Sequence, residues 1–243
     1  MAGTDGSRPI VLIHGAWHGA WCWERVTPLL NAADVPWVAP DLPSSTSSEE
    51  AGLPEDVQVV ERILDDLPGN EPAVLVGHSR GGLVISEAGA HERAGHLVYL
   101  CALLLQPGMD ATAMLGADVM ASLDFGEDLV SSVRPGMAER LFYNDCSRRD
   151  AQWATDQLTP LFGGGGVDEP RHAYATNPST YVVCELDAAL PADRQREMAG
   201  AADHVVTWPT GHSPFLNRPE LVADLLIGLS TGADEPERSR SRS

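Results

Sequence analysis

Gly77-His78-Ser79-Arg80-Gly81 sets a serine between two glycines in the pattern G-x-S-x-G, and its surroundings give the pattern weight. Ala73-Val74-Leu75-Val76 before it is a short apolar run of β type, and Gly82-Leu83-Val84-Ile85 after it opens a helix. A serine on so sharp a strand-to-helix turn is held in a strained backbone conformation, with its hydroxyl lifted above the sheet. Gly77 and Gly81 suit the turn because a side chain on either would strike the neighbouring strand or helix. The helix N-terminus favours negative charge as it develops. These are the requirements of acyl transfer by a serine nucleophile.

A serine hydroxyl is a weak nucleophile until a base takes its proton. His212, in Thr210-Gly211-His212-Ser213-Pro214, follows the apolar run ending at Trp208, so it lies on a loop at the same sheet edge as Ser79. His14 and His78 belong to turn motifs, His91, His96, His172 and His204 lie in or before regular elements, and His18 is the one rival, read as a pocket-lining residue. The acid that orients the base belongs on a loop between Ser79 and His212 in chain order. Asp187, closing Tyr181-Val182-Val183-Cys184-Glu185-Leu186, fits that place. Glu185 alternates to another direction, Asp193 begins a helix, and Asp110 is the structural alternative. For the oxyanion hole, one backbone donor is the amide of Arg80 and the other comes from His14-Gly15-Ala16, with Ala16 the choice. The Arg80 side chain either meets an anionic substrate group or makes a salt bridge away from the pocket, and the salt bridge is preferred. Trp17 and His18 are candidates to line the pocket, while Trp21 and Trp23 read as core. Trp153, Phe125, Phe142 and Tyr143 are either a pocket roof or ordinary core.

The elements that position these residues alternate. Strands are expected at Pro9 to His14, Pro36 to Pro40, Ala73 to Val76, His96 to Leu105, Tyr181 to Cys184 and His204 to Trp208. Helices are expected at Trp23 to Asn31, Pro54 to Leu67, Arg80 to Arg93, Arg194 to Ala199 and Pro219 to Leu229. Ser44 to Gly52 reads as a surface loop. Continuous apolar strands alternating with helices predict an α/β fold, a mostly parallel sheet with helices on both faces. Residues 9–106 and 172–230 form the core in two parts. The Met-, Gly- and Asp-rich stretch 107–171, with Gly163-Gly164-Gly165-Gly166 and a helical patch at Ala151 to Leu158, breaks the rhythm and reads as a cap inserted over the C-terminal edge. The tail, 231–243, reads as disordered.

Composition narrows the function classes. The net charge is −19, from 16 Lys+Arg against 35 Asp+Glu, which repels nucleic acid and anionic membrane surfaces. All 16 cations are arginine, so Schiff-base chemistry, a pyridoxal-phosphate anchor and a P-loop lysine are excluded. No apolar run approaches the roughly 20 residues of a membrane span, and Met1 to Arg8 holds no apolar signal segment. Cys22, Cys101, Cys146 and Cys184 are scattered, without metal-ligand or CxxC spacing, which predicts reduced thiols in a cytoplasmic protein. No metal and no cofactor is expected, and a homodimer is left open.

The stretch Val11-Leu12-Ile13-His14-Gly15-Ala16-Trp17-His18-Gly19-Ala20-Trp21 resembles the opening of the plant methylesterase and hydroxynitrile lyase branch of the α/β-hydrolases. Gly77 to Gly82, Gly211-His212-Ser213-Pro214-Phe215-Leu216 and Tyr181 to Pro191 agree with it, and Phe142-Tyr143-Asn144-Asp145-Cys146 with Ala151-Gln152-Trp153-Ala154 resembles bacterial relatives. The resemblance implies the α/β-hydrolase fold, a triad of Ser79, Asp187 and His212, an oxyanion hole at Ala16 and Arg80, and no cofactor. Lyases of this branch carry threonine in place of Gly15 and lysine in place of Ser213, so both positions follow the ester-cleaving pattern and belong to the substrate-binding set with Trp17, His18 and Trp153. An apolar residue usually stands where this chain has Arg80. The leading expectation is hydrolysis of a small-molecule carboxylic ester (methyl ester, lactone or thioester) through an acyl-enzyme. The alternatives are a lyase- or cyclase-type tailoring step of secondary metabolism and a ligand receptor on the same fold.

Overall fold

Strands that are apolar on both sides must be covered on both sides, and this requirement organises the molecule. The computed structural model describes residues 6–46, 51–126, 130–163 and 171–233. Its strands are β1 (Ile10–Ile13), β2 (Trp37–Val38), β3 (Ala73–His78), β4 (Ala94–Leu100), β5 (Leu123–Phe125), β6 (Ser131–Val133), β7 (Ser179–Cys184) and β8 (His204–Trp208). Six of them form one sheet in the order β2-β1-β3-β4-β7-β8, with every pairing parallel. β5 and β6 form a separate antiparallel pair.

The helices are α1 (Thr27–Ala32), α2 (Pro43–Thr46), α3 (Leu53–Asp66), α4 (Gly81–Ala88), α5 (Ala111–Met114), α6 (Ala117–Ala121), α7 (Ala138–Leu141), α8 (Arg148–Asp156), α9 (Ala192–Ala199), α10 (Pro214–Asn217) and α11 (Pro219–Thr231). Side chains alternate across a strand, and the core divides accordingly. Ile10 and Leu12 of β1 pack with Leu30, Phe215 and Leu226, so α1, α10 and α11 cover one face. Val11 and Ile13 pack with Val57, Leu64, Ile85 and Met198, so α3, α4 and α9 cover the other. Each such fully buried aliphatic side chain contributes about 1.5–3 kcal/mol. Among the described residues no helix is long and apolar enough to cross a membrane.

From β1 the chain steps to β2 on one side, then crosses back to β3 on the other. The strand order thus reverses beside β1, and a crevice opens at the carboxyl ends of β1 and β3. Gly15 to His18 follow β1 and Ser79 follows β3, so both flank that crevice.

Several element boundaries differ from the sequence expectations. The helix expected from Trp23 begins at Thr27, because Pro28 suits a first helical turn and Ala20–Trp23 forms a 3-10 turn instead. The expected surface loop from Ser44 starts as α2, and Ser44 and Ser45 are buried because Asp56 accepts the Ser44 N–H at 3.0 Å and its hydroxyl at 2.7 Å. Residues 47–50 lie outside the described residues. Helix α4 stops at Ala88, where Asn177 Nδ2 donates to the Gly89 carbonyl at 2.7 Å. Strand β4 stops at Leu100, since Cys101 takes φ 38° and leaves the extended conformation. Helix α11 runs one residue past the expected end of the core at 230. Ser230 and Thr231 are helical, and the Ser230 hydroxyl donates to the Arg8 carbonyl at 2.7 Å. Residues 164–170, with Gly164 to Gly166, and the arginine-serine end at 234–243 lie outside the described residues.

Candidate active site

Ser79 sits between β3 and α4 with φ 52°, the left-handed region that an ordinary side chain avoids. The turn is this tight because the backbones nearly touch. A Cβ on Gly77 would lie 2.5 Å from the Gly81 carbonyl oxygen, and one on Gly81 would lie 2.8 Å from that of Ile13. The Ser79 carbonyl is spent on the N–H groups of Gly82 (3.1 Å) and Leu103 (3.0 Å), and its own N–H on the Leu100 carbonyl (3.3 Å). The residue's main chain is therefore fixed while its side chain stays partly exposed.

Asp187 and His212 are brought together from the loops after β7 and β8. Asp187 Oδ2 accepts from His212 Nδ1 at 2.7 Å and from Gln195 Nε2 at 2.9 Å. Its Oδ1 accepts from the amides of Ala189 and Leu190, both at 2.8 Å. Four donors thus converge on one buried carboxylate. Gln195 is fully buried, its amide oxygen accepting from the Cys184 N–H at 2.9 Å. Its one signal in the sequence is a glutamine on the inward face of α9. The other carboxylates considered have different partners. Glu185 is exposed and pairs with Arg196, and Asp110 caps α5 by accepting the Ala113 N–H at 3.0 Å.

His212 is held on its other side by His78, the residue before Ser79. His78 Nε2–H donates to the His212 carbonyl at 2.9 Å, and the two rings lie 4.7 Å apart. Cys101 Sγ–H donates to the same oxygen at 3.3 Å. Among the described residues, His78, Cys101 and His212 bring ligand-type atoms within 4.8 Å of one another. His78 Nε2 and Cys101 Sγ are taken up by the His212 carbonyl and His212 Nδ1 by Asp187, so the cluster reads as a hydrogen-bonded support.

Three further histidines are kept neutral by burial. It lowers the pKa of His14 and pushes His18 down to about 3 and His78 well below the ordinary value. The hydrogen bonds match those neutral rings. His18 Nδ1–H donates to the Ala16 carbonyl at 2.8 Å, and its Nε2 accepts the Tyr143 hydroxyl at 2.9 Å. His14 Nδ1–H donates to the Gly15 carbonyl at 2.9 Å, and its Nε2 accepts the Leu42 N–H at 3.0 Å.

The loop after β1 turns at Gly15 to His18, with His18 N–H on the Gly15 carbonyl at 3.4 Å. Trp17 holds φ 61°, an outlier for so bulky a residue, and external contacts sustain it. Its indole donates to Ser131 Oγ at 3.2 Å, its carbonyl accepts the Thr159 N–H at 3.0 Å, and its ring stacks on Phe142 at 5.7 Å. Phe142 in turn lies 5.6 Å from the His212 ring. Gly15 faces the elbow closely, since a Cβ there would stand 2.9 Å from Ser79 Cβ. Ser213, next to His212 in the chain, is fully buried. Trp153 joins this group through Trp21, its ring 5.4 Å from that of Trp21, which stacks on His18 at 5.3 Å.

Arg80 caps the N-terminus of α4, where amides lack an intrahelical carbonyl. Its guanidinium turns away along α3. Nη1 meets Asp56 Oδ2 at 2.6 Å and Ser44 Oγ at 3.2 Å, so the salt-bridge expectation holds.

Known proteins agree with this architecture. Residues 10–225 match the alpha/beta hydrolase family. The pFDCC methylesterase MES16 of Arabidopsis thaliana is 36% identical over 264 residues, covering 95% of this chain and 98% of that one. The pyrethroid hydrolase of Sphingobium wenxiniae is 29% identical over 255 residues, covering 95% of this chain and 89% of its own. In fold, the chain superposes on a solved structure of polyneuridine aldehyde esterase with TM-score 0.80 at 22% identity, covering 92% of this chain and 99% of the other. The chain belongs to the alpha/beta hydrolase family, as a carboxylesterase-like enzyme.

Proposed function

We propose that this enzyme hydrolyses small, uncharged carboxylic esters through an acyl-enzyme on Ser79. The observation that carries the reading is the buried Asp187–His212 pair, 2.7 Å apart, with the His212 ring 4.7 Å from that of His78, whose chain neighbour Ser79 is held at φ 52° on a strand-to-helix elbow. With Nδ1–H committed to Asp187, His212 keeps Nε2 as the base. Nε2 takes the Ser79 proton as the oxygen attacks the ester carbonyl, and the amides of Ala16 and Arg80 stabilise the oxyanion. His212 then returns the proton to the leaving alcohol, and a water activated by the same ring cleaves the acyl-enzyme. Asp187 holds the imidazole's orientation and stabilises its protonated form.

Three observations support the ester over the lyase outcome and over an anionic substrate. The close approach of Gly15 to Ser79 leaves no room for the threonine of the lyase pattern without a shift. Ser213 supplies no cation beside the base. The Arg80 charge is neutralised by Asp56. The relatives named methylesterase and pyrethroid hydrolase point to methyl and other alkyl esters as the first substrates to try. We read the segment 107–171 as a cap that shapes the pocket, and the four free cysteines as fitting a reducing, cytoplasmic setting.

The test compares wild type with Ser79→Ala, purified in parallel, on a short-chain nitrophenyl ester and then on a panel of methyl esters, lactones and thioesters. Loss of the nucleophile is expected to cost on the order of 10⁶-fold in turnover. A folded wild type no faster than Ser79→Ala across the panel sinks the reading.

A further inference from the structure

We propose that Asn144 and Asp145, between α7 and α8, are positioning residues that hold the acid and the base in register from outside the sheet. The proposal rests on the reading of Asp187 and His212 as acid and base. Asn144 Nδ2 donates at 2.8 Å to the carbonyl of Leu186, the residue just before Asp187. Asp145 Oδ2 accepts the N–H of Gly211, the residue just before His212. The same Oδ2 accepts Asn217 Nδ2 at 2.7 Å, and the Asp145 carbonyl accepts it at 3.2 Å. Two consecutive side chains therefore fasten both loops, and the carboxylate grips the base-bearing loop on either side of His212.

The identity of residue 211 follows from this grip. A Cβ on Gly211 would lie 2.5 Å from Asp145 Oδ1, so only glycine lets the carboxylate come close enough to take the amide hydrogen. Seen from the core, His78 and Cys101 fix the His212 carbonyl. Asp145 adds a second restraint at the Gly211 amide and Asn217, and Asn144 restrains the acid loop at the Leu186 carbonyl. A carboxylate accepting N–H bonds makes a stronger tether than a neutral acceptor. The grip matters because catalytic groups tolerate little displacement: a misplacement of about 1 Å can cost about 10²-fold in rate.

The experiment measures nitrophenyl ester turnover for wild type, Ser79→Ala, Asn144→Ala, Asp145→Ala and Asp145→Asn. Each rate is divided by the number of competent sites counted by end-point labelling with a fluorophosphonate. Ser79-dependent turnover in wild type is the control for the ester reading, so its absence would indict that reading and not this one. Given that control, kcat per labelled site is expected to fall about 10- to 100-fold in both alanine variants with KM within about twofold, since the tether positions groups and does not bind substrate. Asp145→Asn keeps an oxygen acceptor and is expected to recover most of the rate. If Asp145→Ala does not fold, Asn144→Ala at its exposed position decides alone. Normal kcat per labelled site in Asn144→Ala and in any folded Asp145 variant overturns the proposal, as does a loss of kcat that Asp145→Asn shares in full.

Discussion

Arg80 offers a double-mutant cycle whose outcome is set by burial. Asp56 has no exposed surface, and its carboxylate is held by Arg80 Nη1 (2.6 Å), the Ser44 hydroxyl (2.7 Å) and the Ser44 amide (3.0 Å). Replacing Arg80 by leucine strands that carboxylate with only the Ser44 donors. Breaking one side of a buried ion pair typically costs about 3–5 kcal/mol, and the surviving hydrogen bonds put the expectation near the lower value, about 3 kcal/mol. For a chain of this size each kcal/mol moves Tm by about 2–4 °C, so Arg80→Leu is expected to melt about 6–12 °C lower. Asp56→Leu strands the guanidinium and also leaves the buried Ser44 donors without their acceptor, a further cost of about 1–3 kcal/mol. The double variant removes both charges and keeps only the Ser44 penalty. The two losses must therefore fail to add, with a coupling of at least about 2 kcal/mol.

Urea unfolding followed by tryptophan fluorescence at pH 7 measures all four corners. Below the melting range, kcat of Arg80→Leu is expected to stay within about tenfold of wild type, because the proposed oxyanion donor is a backbone N–H that the substitution leaves in place. Additive losses, or a stability change under about 1 kcal/mol in Arg80→Leu, would refute the argument that this pair is a buried structural link. A large loss of kcat/KM confined to anionic esters would instead return Arg80 to the substrate.

Two further outcomes follow from the same geometry. His18 is neutral in the fold down to about pH 3, whereas in the unfolded chain it binds a proton below about 6.5, so stability falls as pH drops through that window by about 1.4 kcal/mol per unit. His18→Gln removes this proton uptake, and its stability-versus-pH slope between pH 6 and 4.5 should be shallower by that amount; parallel slopes in urea titrations would contradict the neutral-histidine assignment. Asp187→Asn is expected to preserve the fold while lowering kcat by about 10⁴-fold, since an amide cannot fix the imidazole in the tautomer that leaves Nε2 free. A variant retaining a tenth of wild-type turnover would show that another group orients His212.

The parts of the molecule that follow local rules were legible in the sequence. Strand β1 matches its four-residue apolar run, and α3 runs from Leu53 to Asp66 where the apolar stripe and Pro54 put it. The elbow was readable because Gly77 and Gly81 report local backbone contacts. Strand and helix ends were less legible: the remote Asn177 stops α4, and β4 stops at the left-handed Cys101, a conformation that a cysteine does not announce. Ser44 looked like loop because serine clusters usually are, and its burial depends on Asp56 and Arg80, 12 and 36 residues away. Gln195, Asn144 and Asp145 were missed for the same reason. Each is an ordinary polar residue until the fold sets it against Asp187, Leu186 or Gly211.

Two of those misses, Asn144 and Asp145, lie between β4 and β7, and their place has a consequence. The segment between β4 and β7 touches the strained parts of the site from several directions. Ser131, Thr159 and Phe142 hold Trp17 at its left-handed φ, next to the proposed oxyanion donor Ala16. Tyr143 donates to His18, which in turn holds the Ala16 carbonyl. A strained residue persists only where its surroundings over-determine it, so releasing these contacts would let Trp17 relax and carry the Ala16 amide with it. A segment read from sequence as a cap therefore also supports the proposed catalytic geometry. Exchanging it for a relative's should change kcat as well as substrate preference, whereas a mere cap would alter KM and selectivity alone.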